Sequence, residues 1–193
     1  MSAPQAGIGH NQGPTMERGA GWRRYAWRKA RAELLPKLPL EIVRIRVKRA
    51  RELGLDYKSY ASVRAASGRD VVAFLFSSNA LRVTRRGAEI EPGRAAKLEG
   101  LVRCGRVALV QPPLRPADLD AAGPGLFEAI GPAPTLGNTW SELRARLAAV
   151  TADRGVPGDG VIVVGDTALE REWLAAGRFA AYLSAERYFG ELS

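Results

Sequence analysis

Three short, uninterrupted apolar runs, Val71 to Phe76, Val107 to Val110 and Val161 to Val164, constrain this chain more than any other feature of its sequence. Each is too short for a core helix and rich in β-branched residues, which reads as a strand. Continuous rather than alternating apolarity means burial on both faces, the mark of a parallel or mixed sheet covered by helices. Helical stretches are predicted over Pro92 to Val102, Trp140 to Asp153 and Ala168 to Ala176, with a hairpin between Leu81 and Ile90 turning at Arg86-Gly87. Six prolines between Pro112 and Gly137 suggest a long connection, either a functional loop or a linker. The expected fold class is α/β: a flexible arm over 1–21, a basic helical module over 22–69, and a small three-layer α/β domain over 70–193. A competing assignment continues Asp70 to Val83 as a further helix of the basic module, since periodicity alone does not separate the two.

The charge is distributed unevenly. Residues 1–69 hold 15 Lys/Arg against 5 Asp/Glu, a net of +10, whereas residues 70–193 hold 14 against 15, a net of −1. Of the 29 basic residues 24 are arginine, a bias that GC-rich bacterial genomes also produce, so position is more informative than composition. A basic region on a near-neutral domain points toward DNA, RNA or another anionic surface. Cys104 is the only cysteine, which rules out an intrachain disulfide or a thiolate metal cage within one chain. With no apolar run near 20 residues, the chain is expected to be soluble and cytoplasmic, without a membrane partner.

The first 21 residues, with five glycines, two prolines and little apolar material, are expected to be flexible. Within them the piece Gly7-Ile8-Gly9-His10-Asn11-Gln12-Gly13-Pro14 resembles a short N-terminal tag of alphaproteobacterial and phage-related proteins; it implies no activity. From Gly21 to Leu35, Trp22, Tyr25 and Trp27 interleave with Arg23, Arg24, Arg28, Lys29 and Arg31 on a helix ended by Pro36. Two readings remain open: the arginines grip phosphates while the rings stack on bases, or the rings dock the helix on the domain and the arginines are its wet face. A protein-interaction adaptor using these aromatics is a further possibility.

Leu40, Val43, Val47 and Ala50 follow helical spacing, and Arg44, Lys48 and Arg51 recur along another face, so Pro39 to Leu53 reads as an amphipathic helix stopped by Gly54. A second short helix is predicted from its cap Asp56 through Tyr57, Tyr60 and Val63 to Gly68. With small Ala50 where the helices meet, Leu53-Gly54-Leu55 at the turn, then Tyr60 and Val63, residues 46–65 resemble the helix-turn-helix of DNA-binding proteins. Arg49 departs from that pattern, standing where an apolar side chain is usual. The resemblance implies that Lys58, Ser59, Ser62 and Arg64 face the DNA groove. A plain helical hairpin is the other reading.

In an open α/β sheet ligands sit at the carboxyl ends of strands. Ser77-Ser78-Asn79, after the first run, and Asp166-Thr167, after the third, occupy that place as candidate anion or ligand contacts. Thr167 with Glu170 three residues on also spells a capping box, which requires no ligand. No Gly-x-x-x-x-Gly-Lys-Ser/Thr loop and no Gly-x-Gly-x-x-Gly fingerprint is present, so no nucleotide cofactor is expected. The only histidine, His10, lies in the arm, which argues against Ser-His-Asp or Cys-His catalysis. Carboxylate-only metal chemistry would have to draw on Asp70, Asp118, Asp120, Asp159 and Asp166, whose spacings match no template, and no metal is expected. Two functions therefore stand against each other: nucleic-acid binding through Arg23, Arg24, Arg28, Arg44, Lys48, Arg51 and the second helix, as in a regulator or phage-type accessory protein, or an enzyme or ligand-binding domain using the crevice.

Overall fold

A computed structural model describes residues 38–152 and 155–190. All three apolar runs are strands: β1 (Ala73–Ser77), β2 (Gly105–Val110) and β4 (Val161–Gly165). With β3 (Ala129–Pro132) and β5 (Ala181–Ser184) they form a five-stranded, all-parallel sheet in the order β3-β2-β1-β4-β5. Every residue of β1 and β4 is buried, as continuous apolarity requires of strands covered on both sides. Ala73 pairs with Gly105 on one side and Val161 on the other, which sets the register of the central three strands.

Helices fill two layers. On one face, Phe74, Phe76, Ala108, Val110, Ile162 and Val164 pack against helices α1 (Leu40–Glu52), α2 (Tyr57–Ser67), α3 (Pro92–Glu99), α4 (Pro116–Ala122) and α7 (Ala185–Phe189). On the other, Ala73, Leu75, Val107, Leu109, Val161 and Val163 pack against α5 (Trp140–Ala152) and α6 (Ala168–Ala176), with Leu143, Leu147 and Trp173 at the centre. Residues Glu41–Ser193 form one compact unit. Ala50 and Leu53 of α1 and Tyr60 and Val63 of α2 belong to the same core as β1, so the change of charge near residue 69 does not coincide with a packing boundary.

The signals that bound α1 and α2 act as chemistry requires. Gly54 takes φ +62° at the turn between the helices, and Gly68 takes φ +73° as the C-cap of α2, conformations that cost any other residue about 1–2 kcal/mol. Asp56 caps α2 by accepting from the Ser59 N–H at 2.9 Å.

Of the two assignments open for Asp70 to Val83 the strand holds, since Ala73–Ser77 pairs with β2 on one side and Ala73 to Phe76 with β4 on the other. Two expectations are corrected. Leu81 to Ile90 contains no strand; the chain turns back immediately after β1, with the Leu81 N–H on the Ser77 carbonyl and the Val83 N–H on the Ser78 carbonyl, and β1 already has a neighbour on each side. The proline-rich stretch 112–137 is not a bare connection. Pro116 opens α4 at a position where its missing N–H costs nothing, and Ala129–Pro132 is the edge strand β3.

Candidate functional site

The solvent face of α1 carries Arg44, Lys48 and Arg51, all exposed, along one side of the helix. At 1.5 Å per residue the three charges span about 10 Å. Arg44 pairs with Glu41 at 2.7 Å in the open, a contact of small energetic weight. Lys48, Arg51 and Lys58 of α2 form no ion pair with any described residue, and Ser62 is exposed beside the same stretch of chain. Ser59 and Arg64 are placed differently. Ser59 is buried, its hydroxyl donating to Asp56 Oδ2 and accepting from Arg187 Nη2 at 2.9 Å, which ties α2 to α7. Arg64 turns inward to Asp70, 3.5 Å away. Arg23, Arg24, Arg28 and His10 lie outside the described residues.

Beneath this face is an ionic network that holds α1 in place. Arg49, whose side chain is only 12% exposed, uses all five of its N–H donors. Nε donates to Asp70 Oδ2 at 3.1 Å, Nη1 to Glu52 Oε2 at 3.1 Å and to the Val102 carbonyl at 2.8 Å, and Nη2 to the Val71 carbonyl at 2.9 Å and the Arg103 carbonyl at 3.1 Å. One side chain thus fastens α1 to the entries of both β1 and β2. It also steadies Arg103, which sits at φ +51° and whose own guanidinium reaches Glu52 at 2.8 Å. Asp70 further accepts from the Tyr60 hydroxyl at 2.7 Å and from its neighbouring Val71 N–H at 2.9 Å. Partial burial pushes the Asp70 carboxyl up, but the Tyr60 hydroxyl and the Arg49 charge outweigh it and hold the pKa below the usual range. The Arg103 hydrogen bond lowers Glu52 likewise, and the Ser59 hydroxyl and N–H lower Asp56.

These contacts change the electrostatics of the module. Glu52, Asp56 and Asp70 are turned into structural bonds, while Glu41 stays exposed beside Arg44, so three cations and one acid leave the outward stripe with a net charge of +2. Arg49 was the residue that least fitted the pattern read from sequence, and it is the anchor.

The second candidate site lies where the strand order reverses, between the carboxyl ends of β1 and β4. Here the predicted residues do meet, joined through Glu170, Gln111 and neighbouring backbone. Ser77 and Ser78 are fully buried; Ser77 Oγ accepts from the Ala80 N–H and Ser78 Oγ from the Gln111 N–H, both at 3.0 Å. Asn79 Nδ2 donates to Glu170 Oε1 at 2.9 Å, and Gln111 Nε2 approaches the same oxygen at 3.3 Å. Glu170 Oε2 accepts from the Asp166 N–H at 2.6 Å and the Thr167 N–H at 3.0 Å, while Thr167 Oγ1 accepts from the Glu170 N–H, completing the capping box. Gly165 is required for this closeness, since a Cβ there would stand 2.9 Å from the Glu170 Cβ and 2.8 Å from the Tyr182 ring. Glu170 is fully buried and central, and sequence reasoning saw only its capping role.

Comparison with protein-family models, curated proteins and solved structures gave no match. The reading of both sites therefore rests on their geometry.

Two further predicted groups are placed. Among the described residues no three His, Cys, Asp or Glu side chains come together as a metal site. Asp118 instead accepts from the Arg115 N–H at the start of α4, Asp159 pairs with Arg69, and Asp70 is held by Arg49. Cys104 is buried before β2, and burial pushes its thiol up to about 12. No described helix is long and apolar enough to cross a membrane.

Proposed function

We propose that this protein binds nucleic acid through the solvent face of α1, with Arg44, Lys48 and Arg51 as phosphate contacts and Lys58 and Ser62 of α2 beside them. The observation that carries this reading is the uneven use of charge within the module: Glu52, Asp56 and Asp70 are consumed in its internal bonds, while Arg44, Lys48 and Arg51 stay exposed with Glu41 as the acid beside Arg44. A helix with three cations over about 10 Å matches a phosphate backbone in charge and length. Arg23, Arg24 and Arg28 bring the same chemistry and belong to the same proposal. The ligand-crevice alternative is weaker, because an anion there would have to displace the Glu170 carboxylate from the Asp166 and Thr167 N–H groups at the α6 N-terminus.

The test is a binding titration against duplex DNA, single-stranded DNA and RNA at about 50 and about 200 mM salt, with the wild type and a variant carrying R44A, K48A and R51A. Affinity that falls more than tenfold over this range, with a salt slope reduced by about 3 in the triple variant, supports the reading. Absence of binding at the lower salt, or an unchanged slope in the variant, refutes it.

A further inference from the structure

Two isoleucines stand uncovered on α1, Ile42 at 39% exposure and Ile45 at 63%. With buried Ala50 marking the direction of the core, the 3.6-residue turn sets Arg44, Lys48 and Arg51 along one edge of the exposed face and Ile42 and Ile45 along the other. The outermost line between the two edges passes through Glu41, with Lys48 beside it. The apolar pair is therefore turned sideways, on the flank away from the cations.

On that flank Ile45 borders an open groove of about 450 Å³, whose other walls are Lys48, Arg49, Glu52, Asp70 and Arg103. A cavity of about 150 Å³ accepts a benzene ring, so this groove has room for the fused rings of a purine. Its charges are largely matched. Arg49 bonds Asp70 at 3.1 Å and Arg103 bonds Glu52 at 2.8 Å, while Lys48 forms no ion pair with any described residue. Glu52 makes these bonds through Oε2, and its Oε1, which bonds no described residue, is available to accept. The groove is thus polar with a net charge of +1, beside an edge of three cations and one acid.

We propose that α1 takes a single strand of DNA or RNA, its phosphates on Arg44, Lys48 and Arg51 and an unpaired base over Ile45 in the groove, where Glu52 Oε1 accepts from a base amino group. This rests on the nucleic-acid reading of α1 and names the class of strand. A cationic edge beside a polar groove of matched charges suits a ligand that is anionic on one side and flat, polar and uncharged on the other, which describes an unpaired nucleotide. Ile45 and Lys48 are three residues apart and neighbours on the helix surface, about 5–6 Å between their Cβ atoms, so a phosphate on Lys48 leaves its base at Ile45. A duplex turns its bases inward, away from the isoleucine. A bilayer would press hydrocarbon against a groove of five charged side chains, a costly desolvation.

Titration of the full chain against a single-stranded DNA of about 15 nucleotides, the RNA of the same sequence and the matching DNA duplex, at about 100 mM salt, tests this. The better-bound single strand is expected to bind about tenfold or more tighter than the duplex. I45A changes an exposed position and removes no charge; it is expected to weaken single-strand binding about fivefold or more while leaving duplex binding and the salt slope unchanged. A fluorescent purine analogue in the strand brightens when it leaves its stack, and is expected to brighten on the wild type and less on I45A at saturation. An I45A variant that binds single strands like the wild type, or an analogue whose emission does not move, overturns the proposal. A duplex bound as tightly as the better single strand, with binding still lost in the triple cation variant, overturns it and keeps the reading of the stripe, whereas no binding to any of the three removes both.

Discussion

Replacing Arg49 by methionine tests the claim that one side chain fastens α1 to the sheet. The substitution keeps most of the apolar stem and removes five hydrogen bonds. Of the acceptors left behind, Asp70 keeps Tyr60 and is 39% exposed, so water replaces much of what it loses. The carbonyls of Val102 and Arg103 are also within reach of solvent, whereas that of Val71 sits in a partly buried bond and carries the larger penalty of an unpaired polar group. The sum is a loss of about 2–4 kcal/mol, below the 3–5 kcal/mol typical of a fully buried pair. Arg49→Lys keeps the charge without the planar fork and is expected to recover less than half. Urea unfolding followed by circular dichroism measures both, and amide exchange in α1 should accelerate in step. A loss under about 1 kcal/mol, or full rescue by lysine, would refute the anchoring argument.

Three other outcomes are expected. Glu170→Ala orphans the Asp166 and Thr167 N–H groups and the Asn79 amide, and thermal unfolding should show a loss of about 2–4 kcal/mol, against a smaller one for Glu170→Gln. Asp56 and Asp70 have folded pKa values below their unfolded ones, so the stability they confer is full above the ordinary carboxylate value of about 4 and is lost as pH falls through the folded values; Asp70→Asn should flatten the fall in melting temperature below about pH 4. Cys104, its thiol pushed up to about 12, should resist thiol reagents at pH 8 until the protein is unfolded, and native-state labelling at the denatured rate would contradict its burial.

The centre of the sheet was legible because β1, β2 and β4 are buried on both faces and leave continuous apolar runs. The edge strands were not. Ala-Ile-Gly-Pro and Ala-Tyr-Leu-Ser are four residues long and only partly buried, so nothing in their composition separates them from loop. Helix α4 was hidden in the proline-rich stretch read as a connection, although Pro116 stands where a helix opens. At the basic module the caps and turn at Asp56, Gly54 and Gly68 were local signals and local reasoning found them. Arg49 could not be understood that way, because its acceptors at Val71, Val102 and Arg103 lie 22, 53 and 54 residues along the chain. Glu170 is similar: its capping partner is three residues away and visible, while Asn79 and Gln111 stand 91 and 59 residues off.

The shortness of β3 and β5 matters beyond the fold. Both edges of a parallel sheet expose unpaired backbone groups to any extended chain that passes, and a long flat edge is an invitation to fibre growth. Here each edge offers only four residues, and β3 ends on Pro132, which has no N–H to give. A stray strand would find too few partners to stay, so the molecule can be concentrated without its sheet being extended from outside.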